Sequence, residues 1–132
     1  MPLSTTIEIA AAGPRVWSIL TDTDLWPVWG PSLKSVECTE RFVAAGSRGR
    51  VQSALGIWLS FEILDFVDGQ YWSWEVAGVR ATGHRVERLG RNRCRLSFEV
   101  PMLAAPYLAV CAIACRRIRD LAERSASSAQ AR

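Results

Sequence analysis

Residues 93–100 read RCRLSFEV, and a proline at 101 closes them. Cys94, Leu96, Phe98 and Val100 alternate with Arg93, Arg95, Ser97 and Glu99. So regular an alternation predicts a strand with one packed and one wet face, as in an antiparallel sheet covered on one side. Pro101 ends the sheet because it brings no N–H to a ladder, and the chain beyond it has to supply the cover. From about Ala104 to Arg124 the chain is rich in Ala, Leu and Arg. Tyr107, Val110, Cys111, Ala114, Ile118 and Leu121 form an apolar stripe there at helical spacing. Arg116, Arg117, Arg119 and Arg124 are expected at the end of that helix, where its dipole favours cations. The last residues, 127–132, are small and polar and read as a flexible tail.

The same period of two recurs upstream. Leu59, Phe61 and Ile63 alternate with Ser60 and Glu62 within Ile57–Val67, and Trp72, Trp74 and Val76 alternate with Ser73 and Glu75 within Tyr71–Ala77. Asp68-Gly69 between them is a hairpin signal. Gly78 turns the chain into Arg80–Leu89, and Gly90–Asn92 turns it again. Ser32–Thr39 and Arg50–Leu55 read as two earlier strands joined across Arg41–Gly49. Glu62, Glu75 and Glu99 fall on the wet faces, with Arg85 and Arg95 within cross-strand reach.

An opening strand is predicted at Ser4–Ala10, with Ile7 and Ile9 on one side. Gly13 stops it, and Pro14 suits the first turn of a helix in which Val16, Trp17 and Leu20 share a face. Pro27 and Gly30 prevent Asp22–Pro31 from forming one long helix, so Trp26 and Trp29 are assigned to a short second helix or turn. Asp22 and Asp24 are expected to end the first helix or cap the second. The expected fold is α+β. A curved antiparallel sheet wraps around a long C-terminal helix, with two short helices after the first strand, in one domain over residues 1–126.

Composition narrows the function. A length of 132 residues suits one domain, and 49% hydrophobic with 22% charged residues argues for a packed core and against disorder. The net charge is +3, and acids interrupt both arginine-rich stretches. A nucleic-acid binder presents a denser basic face, so no nucleic-acid partner is expected. MPLSTTIEIA does not resemble a signal peptide, and no run of about 18 apolar residues offers a membrane span. A cytoplasmic location is expected, with Cys38, Cys94, Cys111 and Cys115 as reduced thiols. No phosphate-cradling glycine loop, nucleophile elbow or dinucleotide fingerprint occurs, and no cofactor is expected.

The segment TIEIAAAGPRVWSILTDTDLWPVWGPSLKSVE is similar to the opening of START-related proteins of the SRPBCC superfamily, particularly the polyketide cyclase/dehydrase-like group. The resemblance rests on Ile7–Ala12, Val16-Trp17, Asp22–Asp24 and Trp26-Pro27-Val28-Trp29. Tyr71-Trp72-Ser73-Trp74, Gly83-His84 and the glycine hairpin before the last strand extend it over nearly the whole chain. It implies a helix-grip fold with a deep cavity between sheet and last helix, in which members bind or transform apolar molecules or act as receptors and protein partners. It also implies that Trp26 and Trp29 lie near the cavity mouth.

His84, the single histidine, shares a predicted face with Thr82 and Val86 and so points inward. It is either a general acid/base in an apolar cavity or an imidazole hydrogen-bonded within the sheet. Trp72 and Trp74, inward with Leu59, Phe61 and Phe98, either wall a flat ligand or fill the core. Cys111 and Cys115 share a helix face, but zinc wants four ligands and the histidine is distant, so packing is the better reading and no metal is expected.

The leading expectation is therefore the binding of a small hydrophobic or aromatic molecule, polyketide- or lipid-like, between sheet and C-terminal helix. Trp29, Leu59, Phe61, Trp72, Trp74, His84, Phe98, Tyr107 and Cys111 are the candidate ligand contacts. One alternative is a cyclase/dehydratase-type enzyme in which catalytic His84 moves a proton. The other is an interaction module with a filled core and an apolar patch at Trp58 or the Trp26 segment. A homodimer through an edge strand or the terminal helix is compatible with so small a domain.

Overall fold

The alternating stretches become strands where their period places them. Strand β1 (Leu3–Ile9) is followed by helix α1 (Gly13–Thr21), a 3-10 turn (Thr23–Leu25) and the short helix α2 (Trp26–Trp29). Six strands then run consecutively: β2 (Leu33–Cys38), β3 (Arg48–Ser53), β4 (Trp58–Val67), β5 (Tyr71–Val76), β6 (Val79–Gly90) and β7 (Arg93–Val100). A 3-10 segment (Met102–Tyr107) leads into helix α3 (Leu108–Ala131). The structure, a computed structural model, describes residues 3–131, with side chains described for residues 3–124.

All seven strands form one sheet in the order β1-β7-β6-β5-β4-β3-β2, every neighbouring pair antiparallel. The first strand thus lies against the last, leaving β1 and β2 as the edges. Burial follows the period: Cys94, Leu96, Phe98 and Val100 are all buried. The opposite face carries ion pairs between strands, Arg48 with Glu62, Arg85 with Glu99, and Arg95 with both Glu87 and Glu8. Exposed pairs of this kind contribute about 0–1 kcal/mol each.

Two irregularities bend the sheet around α3. The β4–β5 register shifts between Ile63 and Phe66, and the β5–β6 register shifts between Ser73 and Glu75. In the second, Ala81 and Thr82 together stand opposite Trp74, the two-against-one arrangement of a β-bulge.

Helix α3 covers the inner face with small side chains. Cys111, Ala114, Cys115, Ile118 and Ala122 are buried. Glu123 accepts the Ala10 N–H at 2.8 Å, tying the helix to the end of β1. Both of its ends differ from the expectation. Ala104 (φ −102°, ψ 23°) and Pro106 confine residues 102–107 to 3-10 turns, so the α-helix starts only at Leu108. At the other end the helix runs through Ala131, which puts Arg116–Arg124 more than a turn inside it. The dipole acts within the last turn, so these cations gain little from it. The proposed tail at 127–132 includes the final residues of this helix and otherwise lies outside the described side chains.

Asp22 does what its position between helices suggests. It is the C-cap of α1 and the N-cap of the 3-10 turn, accepting the Asp24 N–H at 3.0 Å. Both of its carboxylate oxygens also accept from the Arg41 guanidinium, at 3.2 and 3.0 Å.

Candidate functional site

The space between sheet and helix has an aromatic floor. Trp72 and Trp74 project inward from β5 and Phe61 from β4, while Trp26 and Trp29 come up from α2. Trp26 stacks on Trp72 (5.5 Å, 10°) and meets Trp74 edge-on (5.3 Å, 72°). His84 lies flat against Trp72 (3.8 Å, 21°) and edge-on to Phe98 (4.6 Å, 81°).

Trp26 and Trp29 are buried in this cluster and not at a mouth, a correction to the sequence-based expectation. The cause is local. The last carbonyls of a helix have no intrahelical partner, and those of α1 receive the two indoles. Trp26 Nε1–H donates to Leu20 O at 2.9 Å and Trp29 Nε1–H to Ile19 O at 3.3 Å. Trp58 does reach the surface, beneath the Arg50 guanidinium at 4.5 Å.

His84 is 1% exposed. Its Nδ1 lies 3.2 Å from the Trp72 carbonyl, which can only accept, so this contact assigns the proton to Nδ1 and leaves Nε2 as an acceptor. Thr82 Oγ1, 3.2 Å from Nε2, donates to it and in turn accepts from Trp74 Nε1–H at 2.8 Å. A directed string results, from Trp74 through Thr82 and His84 to the Trp72 carbonyl. Burial pushes the imidazole pKa down to about 3, against the pull of the bond to that carbonyl. At neutral pH the ring is uncharged and both its nitrogens are engaged.

The aromatic rings fill much of the space beneath α3 and leave two adjoining volumes. The inner one is a recess of about 40 Å³, room for a few water molecules, and no charged side chain lines it. The outer one is an apolar vestibule of about 360 Å³ whose walls include Val51, Leu59, Val76, Val100 and Ala104, with Arg80 as its one charged residue. The two share Ser32, Leu33, Trp74, Thr82 and Tyr107. The Ser32 and Tyr107 hydroxyls bond to each other at 2.6 Å where the volumes meet.

The antiparallel order puts the β3–β4 turn, the β5–β6 turn and the 3-10 segment at the same end of the sheet. That end surrounds the vestibule and is apolar. Leu55, Ile57, Val79, Met102 and Leu103 are between 56% and 100% exposed there.

Seven expected ligand contacts line the recess: Trp29, Trp72, Trp74, His84, Phe98, Tyr107 and Cys111. Leu59 lines the vestibule with Trp74 and Tyr107. Phe61 lines neither, because it packs against Trp26 and Trp74 at 5.4 and 5.6 Å. The sequence reading missed the small vestibule residues Ala81 and Ala104. Its one available signal was small side chains beside a turn and a proline, where bulk would close the opening.

Burial pushes the Cys111 thiol up to about 11 and the Cys115 thiol up to about 12. Among the described residues no group of three His, Cys, Asp or Glu side chains could hold a metal. No helix among them is long and apolar enough to cross a membrane.

Residues 2–129 match a family model described as polyketide cyclase / dehydrase and lipid transport. No curated protein matches the sequence. The fold is similar to that of Zhui aromatase/cyclase from Streptomyces sp. R1128, at 15% identity and a TM-score of 0.70 over 94% of each chain. It is also similar to a START superfamily protein from Mycobacterium smegmatis, at 18% identity and a TM-score of 0.67 over 93% of this chain and 97% of that one. The Aha1 dimer from Colwellia psychrerythraea is similar at 14% identity and a TM-score of 0.68, over 93% and 96%. At such identities the likeness shows the helix-grip fold and leaves activity to the site itself.

Proposed function

This chain belongs to the polyketide cyclase/dehydrase and lipid transport family, and from that premise we propose that it binds a small, mainly apolar molecule in the vestibule and holds it without transforming it. The observation that carries the reading is a volume of about 360 Å³ walled by Val, Leu and Ala side chains and open at an apolar rim. A ligand burying about 200 Å² of apolar surface there gains roughly 5 kcal/mol before association costs are met. The rim supports a lipid-like or flat aromatic ligand, which enters without crossing a polar girdle.

A catalytic His84 has less support. The ring is neutral at neutral pH, and moving a proton at Nε2 first requires breaking the bond to Thr82. We place the protein in the cytoplasm, where its four free thiols stay reduced. A second copy would dock most readily on an edge strand, β1 or β2, whose outer ladder groups are unpaired within the sheet.

The test is a plug. Ala104 is half-buried in the vestibule wall, and Ala104→Trp fills that volume while leaving every residue of the aromatic floor in place. Titration with the neutral fluorophore N-phenyl-1-naphthylamine should saturate the parent, and the plugged variant should lose at least tenfold in affinity at unchanged melting temperature. Equal binding by a folded Ala104→Trp variant removes the vestibule as the site.

A further inference from the structure

We propose that Trp72 Nε1–H is the polar anchor of the site and selects a neutral ligand that carries one hydrogen-bond acceptor, such as a ketone, aldehyde or ester carbonyl. This rests on the vestibule reading above and adds to it which end of the ligand enters the recess, and why.

Among the described residues, Trp72 Nε1 is the one buried side-chain nitrogen or oxygen with no hydrogen-bond partner. Its residue is fully buried and lines the recess. A buried donor left unmatched costs about 1–3 kcal/mol, and native interiors match nearly all such groups. The near-parallel rings of His84 and Trp26 lie against the indole, so a partner has to approach in the ring plane, past its edge. Trp72 lines the recess of about 40 Å³, and a carbonyl group drawn in there would have to reach that closed edge while the apolar body of the molecule stays in the vestibule.

The rest of the recess has no comparable offer. The Trp26 and Trp29 indoles are held by α1 carbonyls. Trp74, Thr82 and His84 are consumed by their own string. The Ser32–Tyr107 hydroxyl pair is exposed, so water serves its leftover hydrogen. With a donor as the sole unmatched buried side-chain nitrogen or oxygen among the described residues, the recess favours an acceptor. It also disfavours a carboxylate, because no cation lines it and His84 is uncharged, leaving a desolvated anion without a counter-charge.

The experiment uses three matched probes, tetralin, 2-tetralone and tetralin-2-carboxylate, with the full chain labelled with 15N in its indoles. The ketone should bind about five- to tenfold more tightly than tetralin, the worth of one hydrogen bond, and the carboxylate more weakly than both. The ketone alone should move the Trp72 indole proton downfield. Trp72→Phe keeps an aromatic ring and removes the donor, so it should bind ketone and hydrocarbon equally. Should that variant not fold, the indole shift in the parent decides the matter. Equal affinity for tetralin and 2-tetralone, tighter binding of the carboxylate, or an unmoved Trp72 proton overturns the anchor and leaves the vestibule reading standing. Failure of all three probes to bind overturns both.

Discussion

An imidazole packed among four aromatic rings and bonded at both nitrogens is costly to protonate. His84 titrates at about 3 in the folded protein against an ordinary value of 6.5. Between those values the unfolded chain takes up a proton that the folded one refuses. Stability is therefore full above about pH 6.5 and declines as the pH falls toward 3. Urea titrations should show the unfolding free energy dropping by roughly 1 kcal/mol for each pH unit below about 6. The chain has a single histidine. Glu8, held below its ordinary carboxylate value first by Arg93, and Asp65, held down first by Ser73, respond at lower pH. His84→Gln should therefore abolish the slope between about pH 6 and pH 5, whatever its stability at neutral pH. A parent equally stable at both pH values would mean that the ring charges inside the fold.

At the scale of elements, the glycine with least room for a side chain is Gly49 of β3, paired with Cys38 on one side and Phe61 on the other. A Cβ there would stand 2.3 Å from the Glu37 carbonyl oxygen and 2.9 Å from the Phe61 ring. Main chain cannot swing aside as a side chain can, so Gly49→Ala should destabilise by about 1–3 kcal/mol. Gly90→Ala, whose Cβ would meet nothing within 4 Å, is the control and should be nearly neutral in the same thermal melts. Equal melts for the two variants would mean that β3 is free to move away from β2. Element boundaries were legible in proportion to the strictness of the side-chain period. Strand β7 begins and ends where its alternation does. The start of α3 was not legible, since the Ala- and Leu-rich composition is continuous across the 3-10 segment while the backbone at Ala104 is not. The burial of Trp26 was hidden for a related reason, because the groups that receive it are backbone carbonyls of α1. Inward-facing Trp72, Trp74 and His84 could be read from parity. Ala81 could not, since it reaches the vestibule at the bulge opposite Trp74, where parity fails.

For the whole molecule, the thiols report how cooperatively the layers come apart. Cys38 is half-buried on edge strand β2, whereas Cys94, Cys111 and Cys115 are buried beneath the helix or within it. Burial raises the Cys94 thiol and holds Cys111 and Cys115 at about 11 and about 12, so little thiolate is present at neutral pH. N-ethylmaleimide should add one adduct to the native protein by mass, and all four only in urea. Native labelling of the other three should then track global opening. Rapid addition at more than one site would show that α3 lifts from the sheet by itself.

The floor of the site has one further property. The ring centres of Trp26, Trp72 and Trp74 are 5.3, 5.5 and 5.7 Å apart. At that spacing the strong far-ultraviolet transitions of the three indoles couple, and excitation passes readily from one ring to the next. The folded chain then carries an exciton couplet in its circular dichroism that disappears with the packing. Light absorbed by any of the three is shared by all, so a molecule that reaches Trp72 alters the spectrum of the whole cluster. The interior of this protein is its own optical gauge of what occupies it.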